Sequence, residues 1–534
     1  MSRAVSAMHV SWNVTGIIGI FAALLLTGCG GGGTAMQALT RTLVVKAGEG
    51  GAVTSHPAGI NCNADCREAY VEHTSVTLVA IPALGFGFSG WSGGNCTGTG
   101  VCTVILDSDL TITATFATME IATCANGGVV YDKDSSNGFG RQLAVNGDQV
   151  SSVTDIAFIP GSAIDFVVLD QDGYVDYFKD GCDRVNRVDV GDVAKGGIGV
   201  VYGGEQGLLN VEFHPDYATN HFVFFYHTSV GGTVNSVSRM SVAFEENSGF
   251  LKLSDPQRII DFRKGVSAVA ENHNGGGLIF AVDGALLASV GDGGSSADSA
   301  QDDKRLLGKV IRILPSVEAN AGGYSIPDGN MFAASLAKCS NIAASNESAC
   351  PEIIAKGLRN PFRMSRDGGM IYLGDVGSGI EEINSFPVTG NTANFGWPTH
   401  DGPVSSSLLS GYRNPIVSYG RNSATAIGFR AEDSTKPMAT GAASVMIGGV
   451  YRGDKYTAYM NSGALLFDDF YDGYVRAVGV NATGDIVDSD NIPGIHLIHG
   501  GQITSMVQGP DGYIYLTGLY GPAMVYRLVY QAPQ

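Results

Sequence analysis

Two side chains able to exchange a proton frame one stretch of this chain, His273-Asn-Gly-Gly-Gly-Leu-Ile-Phe-Ala-Val-Asp-Gly-Ala-Leu-Leu-Ala-Ser-Val-Gly-Asp292. The imidazole stands just ahead of a glycine run that has no side chains to shield it. The segment reads as an apolar strand, a turn at Asp283-Gly284 and a second apolar strand. Pairing as a hairpin returns His273 and Asp292 to the same end. A carboxylate against an imidazole fixes its tautomer and stabilises its cation, as a general base requires. Taken alone, the segment equally suits a glycine-rich turn with a hydrogen-bonded surface histidine.

Three further signatures follow in order: Gly357-Leu-Arg359-Asn360-Pro361, then Gly374-Asp375-Val376-Gly377-Ser-Gly-Ile-Glu381-Glu382-Ile-Asn384, then Asn394-Phe-Gly-Trp397-Pro398. An earlier block runs Glu205-Gln-Gly-Leu-Leu-Asn-Val-Glu-Phe-His-Pro-Asp216. From about Val153 to the C-terminus this series resembles the glucose/sorbosone dehydrogenase family, sugar dehydrogenases that use pyrroloquinoline quinone (PQQ) and calcium. The resemblance implies that His273 takes the proton from a sugar hydroxyl, with Asp292 as its carboxylate partner. It implies that Arg359 stabilises charge on the quinone oxygen and that Glu205 and Asn360 contact the cofactor. Gly377 and Ser378 match the position where two backbone carbonyls hold the calcium, a hard cation suited to oxygen ligands. The alternatives are turn chemistry at Arg359-Asn-Pro and a solvated loop at Glu381-Glu382.

The chain departs from the family where the three PQQ carboxylates are held by a lysine and two arginines. The arginine positions fall on Gln502 and Thr504, and the lysine position near Tyr471, flanked by Asp468, Asp469 and Asp472. A neutral or acidic wall facing a polyanion loses charge-assisted hydrogen bonds. PQQ binding is therefore expected to be weakened, with Arg452 or Arg476 as substitute cations.

The elements that must position these residues read as strands. The 534 residues suggest two or more domains. The 75 glycines, about twice the usual share, alternate with Val-, Ile-, Tyr- and Thr-rich segments, which means short strands joined by tight turns. From Val153 onward a strand–turn–strand unit recurs with shared turn chemistry. The turns are Pro160-Gly161 with Asp172-Gly173, Pro215-Asp216, Asp283-Gly284, Asp367-Gly368, Asn461-Ser-Gly463 and Pro510-Asp511-Gly512. Six such units predict an all-β chain whose residues 153–534 form a six-bladed β-propeller. Almost no amphipathic helical pattern is present, which excludes Rossmann folds and α/β barrels.

Residues 39–118 read as a separate small β module. Its Pro82…Gly85-Phe-Gly-Phe-Ser-Gly-Trp91-Ser-Gly-Gly resembles a bacterial extracellular repeat related to the internalin B-repeat. It shows no catalytic constellation, and its His56 and His73 read as surface residues. Residues 119–152, rich in Gly, Asn, Asp and Ser, are expected to be a linker.

Residues 1–29 have the form of an export signal. The apolar run Ile17 to Leu26 is too short to span a bilayer and ends in Leu26-Thr27-Gly28-Cys29, similar to a bacterial lipobox. That implies a lipid anchor on Cys29, with residues 30–38 as a glycine-rich tether, and a cell-envelope location facing periplasm or exterior. Nine cysteines minus Cys29 leave an even set, with close pairs Cys62/Cys66, Cys96/Cys102 and Cys339/Cys350, plus Cys124 and Cys182. Disulfides in an oxidising compartment explain this better than zinc. A formal net charge of −19 argues against nucleic acid. The resulting expectation is a lipid-anchored oxidoreductase acting on aldose sugars or related alcohols, with PQQ, calcium and a soluble electron acceptor. A non-catalytic carbohydrate- or protein-binding propeller and a calcium-dependent lactonase are the alternatives.

Overall fold

The computed structural model describes residues 39–118, 130–131 and 139–530, apart from 63–65, 83–85, 99–101, 146–149, 163, 180–181, 265–270, 295–296, 319–320, 336–337, 340–347, 390–392, 405–410, 422–425, 428–442, 457–462, 472–474, 489–501 and 520–524. The export segment, Cys29, the tether, Cys124, Asp472 and most of the expected linker lie outside the described residues.

Six sheets of at least four strands, antiparallel apart from the short pairing of Ile353–Lys356 with Ala393–Asn394, follow one another along the chain. Their first strands are Val153–Phe158, Leu208–Phe213, Leu278–Phe280, Pro361–Asp367, Val445–Tyr451 and Ile503–Gln508. Each first strand packs against the next, and the sixth returns to the first, so the six sheets form a ring. The ring surrounds a central cavity of about 440 Å³ lined by all six first strands. This is a six-bladed β-propeller. Between neighbouring blades the packing is apolar: Leu169, Phe225 and Met240, for instance, share one buried cluster across blades 1 and 2.

Turn chemistry accounts for the blade geometry. Five of the recurrent turns, Pro160-Gly161, Pro215-Asp216, Asp283-Gly284, Asp367-Gly368 and Pro510-Asp511-Gly512, join the first strand of a blade to its second, whereas Asp172-Gly173 joins the second strand of blade 1 to its third. These five turns therefore lie at one end of the propeller. Residues that precede a first strand or follow a second strand lie at the other end, and that end carries the candidate site.

One strand departs from the expected organisation. Phe139–Leu143, inside the segment expected to link the domains, pairs with Val525–Tyr530 and completes the sixth blade. Ala144, Val145 and Val150 then pack with Tyr515 and Val525. The polar composition around this strand hides it, because its partner lies at the far end of the chain. Closing the last blade with an early strand removes an exposed sheet edge.

Residues 40–118 form two sheets around a core that includes Leu43, Val45, Trp91 and Ile112. Disulfides join Cys62 to Cys66 and Cys96 to Cys102, while Cys339–Cys350 ties the long blade-3 insertion. Cys182 is also disulfide-bonded. His73 meets Asp107, 34 residues away in sequence, at 2.6 Å, with both side chains exposed. No described helix is long and apolar enough to cross a membrane.

Candidate active site

The blade-3 hairpin pairs Leu278 with Ala288 and so brings its two ends together. His273 Nδ1 lies 2.7 Å from Asp292 Oδ1. Since an ionised carboxylate only accepts, Nδ1 carries the proton and Nε2 is left as the free base. Gly291 makes this approach feasible: a Cβ there would sit 2.1 Å from the His273 carbonyl oxygen. His273 itself adopts φ 52°, a left-handed conformation uncommon for a residue with a side chain.

The two neighbouring blades, 2 and 4, hold that conformation. Glu205, ahead of the first strand of blade 2, accepts the His273 backbone N–H at 2.6 Å and Asn360 Nδ2 at 3.2 Å. Asn360, ahead of the first strand of blade 4, accepts the Gly275 N–H at 3.0 Å. The backbone N–H groups of Arg359 and Asn360 both donate to the buried carboxylate of Asp375. Burial pushes the Asp375 carboxyl well up and Glu382 adds to this, while the two amides pull it back down.

Asp292 is 3 % exposed. Burial alone would push its carboxyl up, but hydrogen bonds from His273, the Gly294 amide and Trp397 Nε1 more than offset that and leave it below the usual carboxylate range. The stability this contributes is present above the ordinary carboxylate pKa and lost only as pH falls through the depressed folded value. Across neutral pH the imidazole therefore faces a fixed negative charge. Asp292→Asn keeps the shape and removes the charge. Charge-assisted hydrogen bonds are worth roughly 1.5–3 kcal/mol, so any turnover that uses His273 should fall about ten- to a hundredfold in kcat. Steady-state kinetics on the purified variant checks this, and an unchanged kcat would remove Asp292 from the site.

Arg359 extends the site toward blade 4. Its Nη1 donates to the carbonyls of Val376 at 2.8 Å and Gly377 at 2.9 Å, and its guanidinium lies 5.6 Å from the centre of the Trp397 ring. Trp397 in turn donates to Asp292, so the arginine and the His–Asp pair are joined through one indole. A second guanidinium, Arg421, reaches the Gly377 carbonyl at 2.8 Å. The amides of Ser378 and Gly379 donate to Asp401.

The remaining predicted residues lie at the same end of the propeller but on blades 5 and 6. Gln502 donates its backbone N–H to the Phe470 carbonyl, next to the exposed Tyr471. Thr504 is buried in the first strand of blade 6, with its hydroxyl bonded to the Val153 carbonyl and to Thr517. Arg452 pairs with Asp367, in the turn at the opposite end, and so supplies no charge here. The second strand of blade 5 ends at the buried Asp469, and Arg476 begins the third, so both lie at the site end.

Sequence reading missed three residues. Trp397 stood in a quoted motif without a role. Lys264, buried beside Gly293, has its ammonium pushed down to about 8 by burial against the pull of Glu205 and Glu271. Arg421 carries no motif signal at all.

The glucose/sorbosone dehydrogenase family profile matches residues 151–522. The chain belongs to this family. Residues 41–120 match the divergent InlB B-repeat domain. HIPL2 protein of Arabidopsis thaliana is 34 % identical over 37 % of this chain, which spans 28 % of that protein. Aldose sugar dehydrogenase YliI of Escherichia coli (strain K12) is 27 % identical over 59 % of this chain and 74 % of that protein. The PQQ-bound aldose sugar dehydrogenase of Streptomyces coelicolor shares the fold, with a TM-score of 0.51 and 20 % identity over 77 % of this chain and all of that one.

Proposed function

We propose that the chain is an oxidoreductase that removes a hydroxyl proton and a hydride from an aldose sugar or related alcohol. The observation that carries this is the His273–Asp292 pair, with Nδ1 held 2.7 Å from Asp292 Oδ1 so that Nε2 is the nitrogen left for substrate. In this reading His273 Nε2 takes the hydroxyl proton and Asp292 stabilises the imidazolium. Glu205 and Asn360 hold the histidine loop, and Arg359 faces the oxygen that gains charge.

The residues fit PQQ on one side. Asn360, Arg359 and Arg421 offer an amide and two guanidinium groups to a flat anionic ring bearing carbonyls. When bound, PQQ supplies the two-electron acceptor for the hydride, and a soluble acceptor then reoxidises it. They do not fit calcium at Gly377, because both lone pairs of that carbonyl oxygen already accept guanidinium N–H groups. With Gln502, Thr504 and Tyr471 in place of cations, PQQ should bind more weakly than to a site with a full cationic clamp. The same three residues favour a second reading, a ligand-binding propeller without turnover. Purified protein mixed with PQQ and aldoses, followed by absorbance and dye reduction, separates the two: neither PQQ uptake nor dye reduction would leave the binding propeller.

The anchor is part of this reading. Cys29→Ser is expected to release the protein from the membrane fraction, measured by fractionation and by mass of the mature N-terminus. Unchanged membrane association would rule out a lipid anchor at Cys29.

A further inference from the structure

We infer that Arg421 stands where this site would otherwise need a calcium ion, so that the point where Arg359 and Arg421 converge grips an anionic oxygen between two guanidinium groups and takes no metal. The inference rests on the reading of this end of the propeller as a cofactor and substrate site.

The position of Arg421 is set by the backbone. In blade 4 the strand Ile380–Pro387 pairs with Val417–Gly420, with Ile380 opposite Gly420 and Glu381 opposite Tyr419. Arg421, one residue beyond, is thereby opposite Gly379, whose carbonyl accepts its N–H at 3.1 Å. The side chain is fixed as well. Its Nε donates at 3.1 Å to Glu381 Oε1, a carboxylate with no exposed surface whose other oxygen accepts the Val445 N–H at 3.0 Å. A planar guanidinium held at Nε has its Nη2 aimed in one direction, and here that direction is the Gly377 carbonyl.

The donor set around this point is wrong for a divalent cation. Calcium takes six to eight oxygen ligands. A carbonyl oxygen has two lone pairs, and Arg359 and Arg421 use both at Gly377. The nearest carboxylates are engaged too, Glu381 by Arg421 and the Val445 amide, Asp401 by the amides of Ser378 and Gly379. Among the described residues the one cluster of three His, Cys, Asp or Glu at ligand spacing is Cys339, Cys350 and Glu352, where the cysteines form a disulfide. Two fixed guanidinium groups would repel a metal ion and attract an oxyanion, with remaining N–H donors to meet it. The ligand class is therefore a carboxylate, a quinone carbonyl or another oxygen that gains negative charge during reaction.

The test uses the full-length protein in detergent, with calcium alone and PQQ alone as probes. Wild type should melt at the same temperature in EDTA and in millimolar calcium, and should bind PQQ equally well in both. Arg421→Gln should free one lone pair of the Gly377 carbonyl and acquire a calcium-dependent rise in melting temperature. It should also lose on the order of tenfold in PQQ affinity in EDTA, the size of a charge-assisted hydrogen bond. Arg421→Lys, which keeps the charge, should still ignore calcium and serves if the glutamine variant fails to fold. Failure of wild type to bind PQQ under any condition removes the quinoprotein reading, and the melting experiments then decide the role of Arg421 alone. A wild-type melting temperature or PQQ affinity that rises with calcium, or an Arg421→Gln protein that still ignores calcium, overturns the inference.

Discussion

Replacing His273 by alanine is expected to lower kcat by about a hundred- to ten-thousandfold, the usual contribution of a general base. PQQ binding and melting temperature should stay close to wild type. The reason is local: the imidazole makes its one described side-chain bond to Asp292. Without it, the Asp292 carboxylate still accepts from the Gly294 amide at 2.9 Å and from Trp397 Nε1 at 2.9 Å, so no buried charge is orphaned. Backbone strain is the one competing explanation, because residue 273 sits at φ 52°. His273→Asn addresses it, since asparagine tolerates the left-handed region and cannot act as a base near neutral pH. Both variants should be equally slow, and added imidazole should restore part of the rate to the alanine variant. A kcat within a few-fold of wild type in either would remove His273 as the base.

How much of this was legible in the sequence depended on how local each contact is. His273 and Asp292 meet because a single hairpin closes between them, and a turn signal at Asp283-Gly284 with two apolar runs is enough to see that. The six blades were legible for the same reason, since each inner hairpin carries its own turn punctuation, Pro-Gly, Pro-Asp, Asp-Gly or Asn-Ser-Gly. Glu205 and Asn360 were found by resemblance, but their shared task of holding the His273 loop was not, because it joins residues 68 and 85 positions apart. Phe139–Leu143 was read as linker because its partner strand lies nearly 400 residues away; Arg527 Nη2 meets Gln142 across 385 positions. Arg421 and Arg452 show the same limit from two sides. Both are arginines near blades 4 and 5, and only strand register sends one to Gly377 and the other to Asp367 at the opposite end.

The largest expected loss of stability lies at the centre of the ring, where no motif points. Arg363, on the first strand of blade 4, is 3 % exposed. It donates from Nε to the Thr504 carbonyl on blade 6 at 2.7 Å and from Nη2 to the Thr154 carbonyl on blade 1 at 2.6 Å. One guanidinium thus ties three blades across the central cavity. Asp155 is buried beside it, pushed up by burial and pulled down by Arg363, and it accepts the Val211 N–H at 3.1 Å on blade 2. Arg363→Met fills similar space but leaves two carbonyls without their donor and a buried carboxylate without its counter-charge. Leaving buried acceptors without their donor typically costs about 1–3 kcal/mol each, so the melting temperature should fall by many degrees. Removing both partners in Arg363→Met/Asp155→Leu should destabilise less than the sum of the single changes, because no lone charge then remains. Calorimetry on the four proteins of this cycle measures the coupling directly. Strictly additive losses, or an unchanged midpoint for Arg363→Met, would mean that blade packing alone closes the ring and that the arginine is not its tie.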